Sequence, residues 1–144
     1  KDACKKIENN KIDLKINLFK KQKNFSYEES INHNIIIFLL YENIKNREIF
    51  KRYEKIENRK KKSTQKKPSL LINEMELSQD DLNSLFEVEK IEILLNNLKS
   101  KKKSFLEIGS GAGRTTQTIL SLVDNVKYVI ADIPPALNLS YKNI

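Results

Sequence analysis

One cysteine, Cys4, and one histidine, His33, are all that the 144-residue chain holds of either type. That excludes a disulfide scaffold and a cysteine-built zinc site, and it argues against a Cys/His nucleophile system or a histidine metal cage. Glycine and proline number three each, which excludes a collagenous chain. The longest apolar run, Ile35 to Tyr41, has seven residues, against about 20 for a membrane helix. No basic start followed by an apolar stretch and a small-residue cleavage site is present. The expectation is a cytoplasmic globular protein of one-domain size, without a membrane segment.

What the chain has in abundance is lysine. The net charge is +8, yet Lys outnumbers Arg by 23 to 4, and Arg is the residue that bidentate phosphate recognition favours. Lys, Asn and Ile share A/T-rich codons and together supply 57 residues. The excess charge is therefore read as genome bias before it is read as a nucleic-acid surface. It is also uneven: residues 1–104 carry all of the net +8, and residues 105–144 are neutral.

Residues 1–103 read as a mainly helical leader, and residues 104–144 as the start of a second unit. In residues 1–25, Ile12, Leu14, Ile16 and Leu18 alternate like a strand, while Ile12, Ile16 and Phe19 share a helical face; helix is the reading adopted. Ser26 with Glu29 three positions later is a capping box, and apolar residues recur at helical spacing from Tyr27 to Ile56. One long helix or two consecutive ones satisfy that spacing, with Ile35–Tyr41 expected to be buried on more than one side. The basic run from Arg59 to Lys67, closed by Pro68, reads as a solvated linker. Ser78 and Asp81 form a second cap, and Leu82, Leu85, Val88, Ile91, Leu95 and Leu98 predict an amphipathic helix over 79–98.

Beyond residue 103 the texture changes. Ser104–Ile108 reads as a short buried strand, all three glycines then fall at 109, 111 and 113, and a helical pattern runs over 115–123. Residues 126–131 form a second β-branched strand that ends at Asp132. Pro134 and Pro135 break it and precede a helix from Ala136 onward. Strand, glycine loop, helix and strand make a βαβ unit, hence an α/β fold with a parallel pair. Glycines at the strand-to-helix turn let a ligand approach the main chain, and the helix start presents free N–H groups. Asp132, 19 residues after Gly113, is placed by the parallel sheet beside that loop, where a carboxylate can accept the vicinal hydroxyls of a ribose. These parts predict a nucleoside-bearing cofactor site.

The alternatives are bland but definite. Glu107 is either a ligand contact or a carboxylate that stabilises the loop by accepting backbone N–H groups. Asp132 could be a turn former before Pro134. Arg114 reads as a helix-start surface residue rather than a carboxylate clamp, and His33, alone on an apolar-flanked helix, as structural. A dinucleotide site fits less well, because G-x-G-x-x-G puts Arg114 where the third glycine belongs.

The form Glu107, Gly109, Gly111, Gly113 resembles motif I of class I S-adenosylmethionine-dependent methyltransferases. The run Asp132-Ile-Pro-Pro-Ala-Leu137, with Gly113-Arg-Thr115, is similar to a bacterial sugar O-methyltransferase family, with Asn138 where members more often carry an aromatic residue. The match spans 104–144. It implies a Rossmann-like sheet, S-adenosyl-L-methionine as cofactor, and a small-molecule hydroxyl acceptor such as a sugar. The cofactor contacts it implies are Glu107, Gly109, Ser110, Gly111, Ala112, Gly113, Asp132 and Ile133. It assigns no catalytic residue and no metal ligand within the chain; a general base is expected on loops after later strands. A chain that starts at Lys1 and stops at Ile144 is read as the truncated N-terminal part of such an enzyme, weak in cofactor binding by itself. An RNA methyltransferase fragment is one alternative, although nucleic-acid binding lacks the Arg and aromatic interleaving that favours it. A non-catalytic interaction module with a relic glycine loop is the other.

Overall fold

The computed structural model describes Leu18, residues 21–57, 68–97 and 103–143, and the account below concerns these. Most of the strand-or-helix ambiguity in residues 1–25 and all of the basic run 59–67 lie outside them. The chain forms a mixed α/β fold with two small sheets, one antiparallel and one parallel.

Two consecutive helices satisfy the first helical stretch: α1, Tyr27–Ile44, and α2, Glu48–Glu57. The capping box at the start of α1 is complete. Ser26 Oγ accepts from the Glu29 N–H, and Glu29 Oε2 accepts from the Ser26 N–H at 2.7 Å. Ile37, Tyr41 and Ile44 are buried along one side. The expectation that Ile35–Tyr41 is buried on more than one side is corrected: Ile35, Ile36 and Leu39 are exposed. Residues 35 and 39 project nearly half a turn away from 37 and 44 and residue 36 about a quarter turn, and the helix is packed on one face only.

A hairpin that the sequence reading did not assign follows. Strand β1, Ser69–Ile72, pairs antiparallel with β2, Met75–Ser78, through Asn73 and Glu74. Both turn residues have positive φ, the geometry that matches strand twist in a two-residue loop. Helix α3, Gln79–Asn96, starts at the expected Ser78/Asp81 box and buries Leu82, Leu85, Val88 and Leu95.

The βαβ unit is present as read. Strand β3, Lys103–Ile108, pairs parallel with β4, Val126–Ala131, in register from Lys103 opposite Val126 to Ile108 opposite Ala131. Helix α4, Arg114–Leu122, joins them, and α5, Pro134–Asn143, follows. Both prolines thus sit in the first turn of α5, where a missing N–H costs nothing. One core joins all of this: Ile37, Tyr41, Leu77, Leu82, Leu85 and Val88 cluster with Ile119 and Leu122 of α4. Arg52 of α2 ties the layer together, donating through Nη1 to Glu92 Oε1 at 2.9 Å and to the Leu122 carbonyl at 3.2 Å, while Nη2 pairs with Glu92 Oε2.

The parallel pair alternates in exposure. Phe105, Glu107, Tyr128 and Ile130 face inward, and Phe105 stacks on Tyr128 with ring centroids 5.6 Å apart. The opposite face carries Leu106, Ile108 and Val129, of which Ile108 is 80% exposed. Among the described residues nothing covers that face.

Candidate functional site

Three alternate positions, all glycine with positive φ, build the loop between β3 and α4: Gly109 at 78°, Gly111 at 56° and Gly113 at 74°. Each has a hydrogen-bonded main-chain N–H. Gly109 donates to the Ala131 carbonyl at 2.9 Å, Gly113 to Ser110 at 2.9 Å, and Gly111 to Asp132 Oδ2 at 2.8 Å. The glycines differ in what surrounds them. A Cβ at Gly109 or Gly111 would meet no atom within 4 Å, whereas one at Gly113 would stand 2.9 Å from Ser140 Cβ on α5. Gly113 is therefore needed for helix packing. Gly109 and Gly111 satisfy a backbone conformation and leave open space above the loop.

Asp132 stands at the carboxyl end of β4, where the parallel register brings it against that loop. Its Oδ2 accepts from Gly111 and, at 3.4 Å, from the Ser110 hydroxyl; its Oδ1 accepts from the Ile133 N–H at 2.8 Å. The Gly111 amide foremost, then that of Ile133, holds the carboxyl below its ordinary pKa, because both bonds favour the charged form. A carboxylate has about four acceptor positions, so these bonds leave capacity for a further donor. Asp132 is thus both turn-forming and available.

Glu107 goes elsewhere. It faces inward beneath the loop, where its Oε2 accepts from Thr116 Oγ1 and from the Tyr128 hydroxyl at 3.0 Å. The loop-stabilising alternative is thereby corrected in its detail, since the donors to Glu107 are two side-chain hydroxyls rather than backbone N–H groups. Burial, with the Glu107 carboxylate next in size, pushes the Tyr128 hydroxyl up to about 12.

Arg114, the base adjoining the loop, turns away from it. It donates to Ser84 Oγ at 3.2 Å and the Asp80 carbonyl at 3.3 Å, and pairs with Glu87 Oε1 at 3.0 Å, all on α3. Arg114 is thus the first residue of α4 and partly exposed, in keeping with a helix-start surface residue, and it also forms an interhelical clasp to α3. His33 lies far back in the leader, its ring 5.3 Å from that of Phe25.

The structure therefore gathers Gly109, Ser110, Gly111, Ala112, Gly113, Asp132 and Ile133 at one end of the sheet and sets Glu107 below them. Sequence reasoning missed Thr116, Tyr128, Ser84, Glu87 and Ser140. A signal existed for Tyr128: period two puts Glu107 and Phe105 on one face, and the register sets Tyr128 opposite Phe105. An open apolar cleft of about 380 Å³, lined by Ile130, Leu137, Ser140 and Tyr141, lies behind the loop and includes none of the expected contacts. No helix among the described residues is long and apolar enough to cross a membrane. No family model, curated protein or solved structure matches the chain.

Proposed function

We propose that the chain carries the cofactor-binding start of an S-adenosylmethionine-dependent methyltransferase acting on a hydroxyl of a small molecule, with sugars as the acceptor class that the resemblance implies. The observation that carries the reading is the juxtaposition at the sheet's carboxyl end. Asp132 of one strand meets the glycine loop of its parallel neighbour, below space that a Cβ at Gly109 or Gly111 would intrude on.

The residues present suit this cofactor. Asp132 is an acceptor for ribose hydroxyls, and Gly109 and Gly111 admit the aminoacyl portion against the main chain. Charge favours it over a dinucleotide. The carboxylate of Asp132 faces the loop, while Arg114 is committed to Glu87, so the setting suits a cationic sulfonium better than a pyrophosphate. When bound, S-adenosylmethionine supplies an electrophilic methyl for in-line transfer to an oxygen. The chain's own contribution is orientation: two glycine amides and Asp132 fix one end of the site.

Because the outer sheet face is bare and the loop open, affinity is expected to be weak, with a Kd of about 1 mM, roughly −4 kcal/mol. The test is amide hydrogen exchange at Gly109, Gly111 and Gly113 with and without S-adenosylhomocysteine at about 10 mM, which would nearly saturate such a site. Slowed exchange at these three positions supports the reading. Unchanged exchange at all three overturns it.

A further inference from the structure

The start of α4 lacks the acid that helices usually place there: its first turn contains no Asp or Glu, and its N-cap, Gly113, offers no side chain. The missing carboxylate comes from another helix. Glu87 of α3 reaches the first two residues of α4 at once, with Oε1 pairing with Arg114 Nη2 at 3.0 Å and Oε2 accepting from Thr115 Oγ1 at 2.6 Å. One and two turns earlier on α3, the Ser84 hydroxyl and the Asp80 carbonyl hold the other arm of the same guanidinium. A negative charge beside a helix N-terminus is favourable, and a guanidinium held from three sides has little freedom left.

We infer that Glu87 is a positioning residue for the cofactor loop, acting through Arg114 and Thr115; the inference rests on the function proposed above. Gly113 has no Cβ and Gly111 no contact above it, so the loop has few side-chain restraints of its own on the ligand side. Its exit direction is set where α4 begins, and α4 begins where Glu87 holds it. On the other side, Gly111 is held by Asp132. The loop is therefore strung between two carboxylates, one on α3 and one after β4. Preorganised donors bind more tightly because less freedom is lost on binding.

The experiment uses the full chain, labelled with ¹⁵N, as wild type, Glu87→Ala and Glu87→Gln. Main-chain order parameters are measured without ligand, and S-adenosylhomocysteine is then titrated as the probe. Glu87 is on the surface, so the variants are expected to keep their unfolding midpoints. The expected result is lower order at Gly111, Gly113 and Arg114 in Glu87→Ala, with S-adenosylhomocysteine bound about fivefold more weakly. Glu87→Gln retains an oxygen for Thr115 and falls between. Unchanged loop order and affinity would overturn the inference. So would a loss of order spread evenly through α3 and α4, which would mark a merely structural role. If wild type binds no S-adenosylhomocysteine while Glu87→Ala still loosens the loop, the cofactor reading fails and the positioning of the loop by Glu87 stands.

Discussion

The main-chain N–H of Gly111 lies 2.8 Å from Asp132 Oδ2 and donates to it. Two residues 21 positions apart thereby close the carboxyl end of the parallel pair. The acceptor is charged and the donor is a glycine in the left-handed region, so the bond selects both the ionisation state of Asp132 and the shape of the loop. The first prediction concerns its titration. Asp132 has a folded pKa below the unfolded value of about 3.9. Its contribution to stability is therefore complete above that value and lost as pH falls through the lower, folded one. Carboxyl ¹³C shifts should show a midpoint below about 3.9, with the Gly111 amide following the same curve. A midpoint at or above the unfolded value contradicts the bond.

The glycines separate by cost. Gly111→Ala meets left-handed strain alone and should cost about 1 kcal/mol. Gly113→Ala adds an approach of 2.9 Å to Ser140 Cβ and 3.2 Å to Ser140 Cα, so α5 must shift and the cost should exceed that of Gly111→Ala by about 1–2 kcal/mol. Urea denaturation of the two variants side by side checks the order, and equal midpoints would count against the packing of α5 on the loop.

Alkaline pH addresses the Glu107 cluster. The hydroxyl of Tyr128 is pushed up to about 12 by burial and by Glu107. A raised folded pKa means that its stabilisation is whole below the unfolded value, about 10, and is lost as pH climbs toward the folded one. Stability should therefore fall between these two values, and Tyr128→Phe should flatten that fall. Burial raises Tyr41 as well, so the slope should lessen rather than vanish. A Tyr128→Phe curve parallel to wild type throughout would remove the argument.

Burial contrasts sharply across the sheet. Leu85 is 0% exposed in the common core, and Leu85→Ala should cost about 3 kcal/mol. Ile108→Thr keeps the β-branch on the bare face, and should change stability by less than about 0.5 kcal/mol. A large effect at Ile108, read by chemical denaturation, would mean that something covers that face in solution.

Much of this architecture was legible because its signals are local. The two capping boxes, Ser26 with Glu29 and Ser78 with Asp81, are hydrogen-bond patterns confined to four residues. The glycine triplet and the β-branched run to Asp132 declare a strand–loop–helix–strand in the same way. The hairpin at Ser69–Ser78 was hidden because its strands are four residues long and its turn is Asn73-Glu74, without the glycine that usually marks such geometry. Ile35–Tyr41 misled because a continuous apolar run does not say how many neighbours a helix has. At the site, the loop and Asp132 could be placed from topology. The partners of Arg114, Glu107 and Gly113 depend on how α3, β4 and α5 pack, and the bonds from Arg114 and Thr115 to Glu87 span 27 and 28 residues. No spacing rule reaches that far.

The central claim is that Asp132 and the glycine loop form one nucleoside cofactor site with a preference for S-adenosylmethionine chemistry. The most direct measurement is a pair of NMR titrations, S-adenosylhomocysteine and NAD, into wild type and Asp132→Ala. The account predicts saturable shifts at Gly109, Gly111, Gly113 and Ile133 with S-adenosylhomocysteine, none of comparable size with NAD, and loss of the response in Asp132→Ala. Equal or larger shifts with NAD, an undiminished response in Asp132→Ala, or no response to S-adenosylhomocysteine at all would contradict it.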